Sequence, residues 1–128
     1  YALNTSHCEG LCLPLMEYMS LGIPAVAPRH TAMLDYVNAE NSFIVASHLE
    51  PHIWPHDPED RLTTLRHRID WRSLVEAYRE SFRVAREEPA RYQQMGQATR
   101  AAQRAFCSQD AVRRGLAEFF GLTVGGAA

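Results

Sequence analysis

The sequence predicts an α/β fold in which a parallel sheet of about three strands is flanked by helices and followed by a helical C-terminal half. Short apolar runs alternate with helix-like segments over residues 1–46, and amphipathic spacing of three and four residues dominates residues 71–121. Strands that alternate with helices pair in parallel, and a parallel sheet needs cover on both faces.

The first 46 residues contain the signals that separate these elements. Pro14 suits the first position of a helix, where its missing N–H costs nothing, and Gly22 suits the position just past the end. Thr31 can cap a short second helix. We expect strands at residues 1–5, 23–27 and 42–46, and helices at 14–21 and 32–37. This βαβαβ order predicts a partial Rossmann-like parallel sheet.

Residues 47–70 differ from the segments on either side. Pro51, Pro55 and Pro58 are incompatible with a continuous helix. We therefore expect a loop insertion here, ordered in whole or in part, rather than a helix.

The C-terminal part, residues 71–121, predicts helices. One amphipathic helix runs from Trp71 to Glu88, Pro89 separates it from a second over residues 90–106, and Ser108 caps a third. In the third helix we expect Val112, Leu116, Phe119 and Phe120 to point inward. Residues 122–128 are expected to form a frayed tail.

Composition excludes several classes of protein. The chain has 128 residues, enough for a single compact unit, and its 13 basic against 15 acidic side chains give a net charge of -2 and no basic field for nucleic acid. Cys8, Cys12 and Cys107 lack paired spacing, which argues against a disulfide framework or a zinc ribbon. No apolar window has the length of a membrane span and no leader is evident, so we expect a cytoplasmic location.

Two carboxylates flank a turn that opens the first helix. Glu9 precedes the turn and Glu17 lies eight positions later, with Gly10 and Pro14 between them. A helix N-terminus offers unpaired N–H groups to a phosphate, and carboxylates beside it would accept hydrogen bonds from sugar hydroxyls. A second interpretation stays open, in which Glu9 is a solvated loop acid and Glu17 only stabilises its helix through the dipole.

The same segment reads Ser6-x-x-Glu9-Gly10-Leu11-x-Leu13-Pro14-x-x-Glu17-x-Met19-x-x-Gly22-Ile23-Pro24-x-Val26. This pattern resembles the E-x7-E signature of retaining GT-B glycosyltransferases of the sucrose-synthase and mannosyltransferase type. Weaker similarity extends through Asp35-Tyr36-Val37, residues 41–45 and the region of Met95-Gly96 and Phe106. The resemblance implies that the chain is the C-terminal portion of the donor-binding domain.

That resemblance implies a role for each residue of the turn. Glu9 would act as the catalytic carboxylate that contacts hydroxyls of the donor sugar, and Glu17 would bind the ribose hydroxyls of a nucleotide-diphosphate sugar. The diphosphate would lie along the backbone of Gly10, Leu11, Cys12 and Leu13. Such enzymes retain the anomeric configuration and need neither a metal ion nor another cofactor.

The chain departs from the family pattern at three positions. Cys12 stands where Gly or Ser is common, Tyr18 replaces a small residue, and Ser42 stands where Gly is common. We expect Cys12 to tighten the turn and Tyr18 to alter helix packing or the base pocket.

The resemblance also implies partners. The family's phosphate-neutralising Arg and Lys and its acceptor-binding N-terminal domain would precede Tyr1, so we expect this chain to be inactive alone while its parent transfers a sugar to an acceptor of unknown identity. Peripheral membrane association of the parent stays open. Exposed sheet edges predict self-association of the isolated chain.

Other functions remain as alternatives. The first is a non-catalytic α/β interaction module with structural glutamates, and the second is a domain like that of nucleotide-sugar epimerases. His48, His52 and His56 recur at helical spacing, but the prolines between them prevent the helix that would align them on a metal. Strand-end residues such as Arg29 and His30 could approach a phosphate, although such residues are commonly just solvated.

Overall fold

A central parallel sheet organises the molecule, and the predicted fold class is confirmed. The computed structural model describes residues 1–54 and 56–122. In the sheet, β2 lies between β1 and β3, with Ala2 opposite Ala25 and Val26 opposite Phe43. The strand bounds are β1 Ala2–Leu3, β2 Ala25–Pro28 and β3 Ser42–Val45.

Strand β2 is buried along its whole length because helices cover both faces of the sheet. On one face, Met19 of helix α1 (Leu13–Ser20) packs with Met33 and Tyr36. On the other face, Val26 packs with residues of the C-terminal helices. Each large apolar side chain buried in this way contributes about 1.5–3 kcal/mol to folding.

The second short helix differs from its prediction. It is a 3₁₀ helix, Thr31–Asp35, and the residue preceding it is His30, so Thr31 lies inside the helix and is not its cap. Directly after this short 3₁₀ helix, Tyr36 and Val37 enter the core.

Residues 47–70 form an antiparallel β-hairpin, which corrects the expected loop insertion. Its strands are β4 Ser47–Ile53 and β5 Thr63–Ile69. Asp70 N–H donates to the Ala46 carbonyl, so residues 46 and 70 form a hydrogen-bonded pair at one end of the hairpin. Bonded and non-bonded pairs alternate along an antiparallel ladder, so the even-numbered residues of β4 form the hydrogen bonds to β5. Pro51 is odd-numbered, so its missing N–H removes no bond from the hairpin.

Three helices follow the hairpin: α2 Trp71–Glu87, α3 Pro89–Cys107 and α4 Gln109–Phe119. Ser108 caps α4 as predicted, since its Oγ accepts a hydrogen bond from Ala111 N–H at 3.1 Å. Helix α3 packs against α1 where Gly96 meets Gly22, and a Cβ added at Gly96 would lie 2.6 Å from the Gly22 carbonyl oxygen.

The apolar face of α4 is exposed, which corrects the prediction that it points inward. Among the residues of this helix only Ala117 is buried, and Phe119 is 81% exposed. The main packing partner of α4 in the described part of the chain is α3. The exposed side chains are Val112, Leu116, Phe119 and Phe120.

Within residues 1–54 and 56–122, no helix has both the length and the apolar character that crossing a membrane requires. The expected frayed tail, apart from Leu122, lies outside the described residues.

Candidate functional site

The segment between β1 and α1, residues 6–12, lies at the carboxyl edge of the sheet; we name it the Glu9 turn. His30 and Thr31 follow β2 at this edge, and the hairpin follows β3. Because the strands are parallel, residues that follow each of them meet at one edge, which is where open α/β sheets bind ligands.

Thr31 holds the centre of the Glu9 turn. Its Oγ1 accepts a hydrogen bond from Glu9 N–H at 3.1 Å, and Ala32 N–H approaches the Glu9 carbonyl at 3.5 Å. The backbone of Thr31 is left-handed, with φ 46°. A β-branched residue is rarely found in this conformation, so the surrounding structure must maintain it.

His30 holds the start of the turn. It is 1% exposed, and its Nε2 lies 2.9 Å from the Ser6 carbonyl, which can only accept, so Nε2 carries the proton. In the neutral ring Nδ1 then accepts from the Thr31 hydroxyl at 3.1 Å. Burial, and secondarily the neighbouring His67, lower the pKa of His30. The neutral ring therefore links Ser6 to Thr31, and through Thr31 to Glu9.

The hairpin supports the same turn from outside. The His67 ring stacks on His30 with centroids 4.2 Å apart, and His67 N–H donates to the His7 carbonyl at 2.9 Å. The His67 ring also lies 3.1 Å from Ser47 Oγ. The segment expected to be a loop is thus a hairpin that packs against one side of the Glu9 turn.

Asn4 and Tyr36 hold the other end of the turn. The Asn4 amide donates to Ser6 Oγ at 3.2 Å and to Cys12 Sγ at 3.0 Å. Tyr36 Oη donates to the Leu11 carbonyl at 2.6 Å. Burial raises the pKa of Tyr36, so its hydroxyl keeps the proton that this bond requires.

Cys12 is the residue directly before α1, and its backbone is left-handed at φ 58°. Glycine adopts this conformation without cost, whereas a residue with a side chain adopts it rarely. The Cys12 side chain is buried, and burial raises the pKa of its thiol. The thiol therefore packs inside the turn and is not an activated nucleophile.

A row of backbone N–H groups lies at this helix start. Among the described residues, 1–54 and 56–122, no hydrogen-bond acceptor is found for the N–H groups of Gly10, Leu11, Cys12 or Leu13. Leu11 and Leu13 are exposed, and a Cβ at Gly10 would meet no atom within 4 Å. An anion could reach these groups, whose positive charge is reinforced by the helix dipole.

The two carboxylates flank this row. Glu9 is half-buried in the turn, and Glu17 is exposed on α1, four residues beyond Leu13 and therefore about 6 Å further along the helix axis. Neither carboxylate forms an ion pair with a cation of the described residues.

The positions that depart from the family pattern have separate environments. Tyr18 is half-exposed and lines a crevice of about 360 Å³ between β1 and α1, together with Pro14. Ser42 is buried and donates to Asn41 Oδ1 at 2.8 Å. Tyr18 is thus available to a ligand on α1, whereas Ser42 has a structural partner.

The other residues that the sequence singled out do not hold the Glu9 turn in place. Arg29 donates from Nε to the Val37 carbonyl at 2.9 Å, so it braces the 3₁₀ segment. Cys8 is exposed and has no disulfide partner. His48 and His52 lie in β4, and no group of three or more potential metal ligands occurs among residues 1–54 and 56–122.

The sequence interpretation gave no functional role to Thr31 or Tyr36, and it left open whether His30 approaches a phosphate or is solvated; the structure buries His30. Their position in the sequence could have indicated a role at the site. His30 and Thr31 are polar residues that closely follow the central strand, and Tyr36 directly follows the 3₁₀ helix. Comparison of the chain with protein-family models, curated proteins and solved structures gave no match.

Proposed function

We propose that this chain forms part of the donor site of a retaining glycosyltransferase, which moves a sugar from a nucleotide-diphosphate sugar to an acceptor. The observation that carries the proposal is the row of N–H groups from Gly10 to Leu13, which find no acceptor among the described residues, with Glu9 before it and Glu17 after it. A diphosphate suits the N–H groups, and sugar hydroxyls suit the carboxylates.

The proposed chemistry depends on charge that develops on the leaving group. When the bond between the anomeric carbon and the diphosphate breaks, negative charge grows on the diphosphate. Preorganised N–H groups at a helix start stabilise such charge without reorganisation. The turn is suited to this role because its hydrogen bonds to Thr31, His30 and Tyr36 hold the backbone in one geometry.

The carboxylates have separate roles in this proposal. Glu17 accepts hydrogen bonds from the ribose hydroxyls on the exposed side of α1. Glu9 contacts hydroxyls of the transferred sugar and positions its anomeric carbon. A carboxylate beside a diphosphate is repelled by it, so both acids are better placed to accept from hydroxyls than to contact phosphate.

The side chains that bond to the turn, from Asn4, His30, Thr31 and Tyr36, are all uncharged. The N–H groups alone neutralise a diphosphate incompletely, and the resembling enzymes add Arg and Lys side chains. We therefore expect the isolated chain to bind a nucleoside diphosphate weakly and to transfer no sugar.

Calorimetric titration of the protein with uridine and guanosine diphosphate sugars tests this proposal. Glu17→Ala should weaken binding by about 10- to 100-fold, the usual loss for a hydrogen bond to a charged group. Glu118→Ala is the matched control, since Glu118 is also an exposed helical glutamate and lies on α4. Equal affinity of Glu17→Ala and wild type would remove the ribose role of Glu17.

One observation favours a second candidate, a non-catalytic interaction module. The apolar face of α4, with Phe119 at 81% exposure, is the kind of surface that a protein partner covers. In this alternative the glutamates are structural. Binding of a nucleotide sugar that survives Leu116→Ser and is lost in Glu17→Ala would favour the transferase over the module.

A further inference from the structure

A second cavity lies between the Glu9 turn and the hairpin, and the proposed donor site leaves it unused. Its volume is about 630 Å³, within the usual range for a small-molecule site. Residues 6–8 of the turn form one wall, and the hairpin tip forms the other. Its hairpin residues include His52, Trp54, Leu62, Thr64, Leu65 and Arg66.

The cavity walls combine an apolar surface with polar groups, among them the imidazoles of His7, His52 and His56. Trp54 is 52% exposed and Leu62 is 63% exposed, so both are open to a ligand. The Arg66 guanidinium is bonded to Glu50 at 2.8 Å, which balances its charge. Because the Arg66 charge is paired and Trp54 and Leu62 are open, a ligand with an apolar portion and hydroxyl groups fits these walls.

The edge of β5 adds directional hydrogen-bonding groups. His67 N–H donates to the His7 carbonyl on the turn, so it points away from β4. The other odd-numbered residues of β5 share this orientation, and their backbone groups lie on the edge of β5 that does not pair with β4. Thr63 and Leu65 share this parity and both line the cavity. Their N–H and C=O groups therefore offer both donors and acceptors, which is what sugar hydroxyls require.

The cavity is coupled to the turn that carries Glu9. Cys8 lines the cavity and directly precedes Glu9, and the His30–His67 stack fixes the hairpin against the turn. A ligand in the cavity therefore lies beside the proposed donor site and not on a separate face.

We propose that this cavity binds a glycoside with an uncharged sugar and an apolar aglycone. The sugar ring stacks on Trp54 and bonds to the β5 edge, and the aglycone contacts Leu62 and Leu65. Glycoside binding at this cavity does not rest on the proposed transferase function.

Trp54 fluorescence measures this binding directly. With Trp71→Phe as background, Trp54 is the remaining tryptophan. Octyl β-glucoside, octyl β-galactoside and octyl α-mannoside are titrated separately below their critical micelle concentrations. At least one should change the Trp54 emission with saturation, and the corresponding methyl glycoside should bind at least tenfold more weakly. An unchanged emission with all three octyl glycosides would overturn the proposal.

Two exposed leucines of the hairpin provide a matched pair. Leu62→Ser should weaken glycoside binding about tenfold because Leu62 lines the cavity. Leu49→Ser, at a position of similar exposure (58%) in β4, should have no effect. Equal loss in both variants would indicate nonspecific adsorption and would also overturn the proposal.

Titration with uridine diphosphate separates this proposal from the donor site. Leu62→Ser should leave nucleotide binding unchanged, and Glu17→Ala should leave glycoside binding unchanged. If no nucleotide binds while the glycoside does, the donor-site proposal is wrong and the glycoside proposal is retained. If the nucleotide binds while none of the glycosides does, the cavity proposal fails alone.

Discussion

Thr31 accepts the backbone N–H of Glu9 at 3.1 Å while its own backbone is held in the left-handed region, at φ 46°. Such a conformation costs about 1–3 kcal/mol in a residue of this type. The hydroxyl of Thr31 also meets Nδ1 of the buried His30 ring at 3.1 Å. Thr31 therefore both carries the backbone strain and fixes the position of the Glu9 turn.

Substitution of Thr31 should separate stability from binding. Thr31→Gly relieves the backbone strain, so it should be about 1 kcal/mol more stable than Thr31→Ala, which loses the same hydroxyl without that relief. Both variants should bind a nucleotide sugar more weakly than wild type, since Glu9 N–H loses its acceptor. Urea denaturation and calorimetry measure the two effects. Thr31→Ser keeps the hydroxyl and should retain affinity; full affinity of Thr31→Gly would show that the bond does not position the turn.

Acid should destabilise the protein through His30. Its pKa is lowered from the usual 6.5 because the ring is buried, so below this pH the unfolded chain takes up the proton more readily than the folded one. The contribution of the neutral ring is complete above about pH 6.5 and is lost as the pH falls toward the lowered pKa. His30→Gln keeps a donor for Ser6 but does not titrate. Unfolding free energies at pH 7.5 and pH 5 should fall more in wild type than in this variant, and parallel losses would exclude His30 as the cause.

Removal of the Tyr36 hydroxyl should loosen the far end of the turn. Tyr36→Phe leaves the buried ring in place but deprives the Leu11 carbonyl of its donor at 2.6 Å. The expected loss is about 1–2 kcal/mol of unfolding free energy, with weaker nucleotide binding as well. Ser42→Ala, which removes a buried hydroxyl bonded to Asn41, is the control for binding and should affect stability alone.

Gly96 and Gly115 should respond to alanine in opposite directions. At Gly96 the new Cβ would lie 2.6 Å from the Gly22 carbonyl oxygen, whereas at Gly115 it would meet no atom within 4 Å. Gly96→Ala should therefore lose about 2 kcal/mol through separation of α1 and α3. Gly115→Ala should gain about 0.5–1 kcal/mol from helix propensity. Thermal unfolding measures both, and a stabilised Gly96→Ala would contradict the close approach of the two helices.

Much of the fold followed from local sequence signals. Alternation of apolar runs with Pro14 and Gly22 located the parallel strands and α1 to within a few residues, and Ser108 marked the start of α4. The hairpin was missed because Pro51 and its neighbouring prolines hid the strand period. A proline at a position outside the ladder costs a strand nothing, but the sequence does not show which edge will face outward.

The site was only partly predictable for a related reason. Glu9 and Glu17 are close in sequence, so their turn could be recognised locally. Thr31, His30 and Tyr36 bond to the turn from 22, 24 and 25 residues away. Those contacts exist because parallel pairing brings the ends of β1 and β2 to one edge. Likewise, the periodicity of α4 showed an apolar face but not what would cover it.

The most direct measurement for the central claim is amide NMR of the protein during titration with uridine diphosphate and guanosine diphosphate. The proposed donor site predicts saturable shifts in the resonances of Gly10, Leu11, Cys12 and Leu13, because their N–H groups would receive the phosphate oxygens. The Gly115 resonance on α4 should not move. Absence of shifts at these four amides with both nucleotides, or shifts confined to other elements, would contradict the proposal.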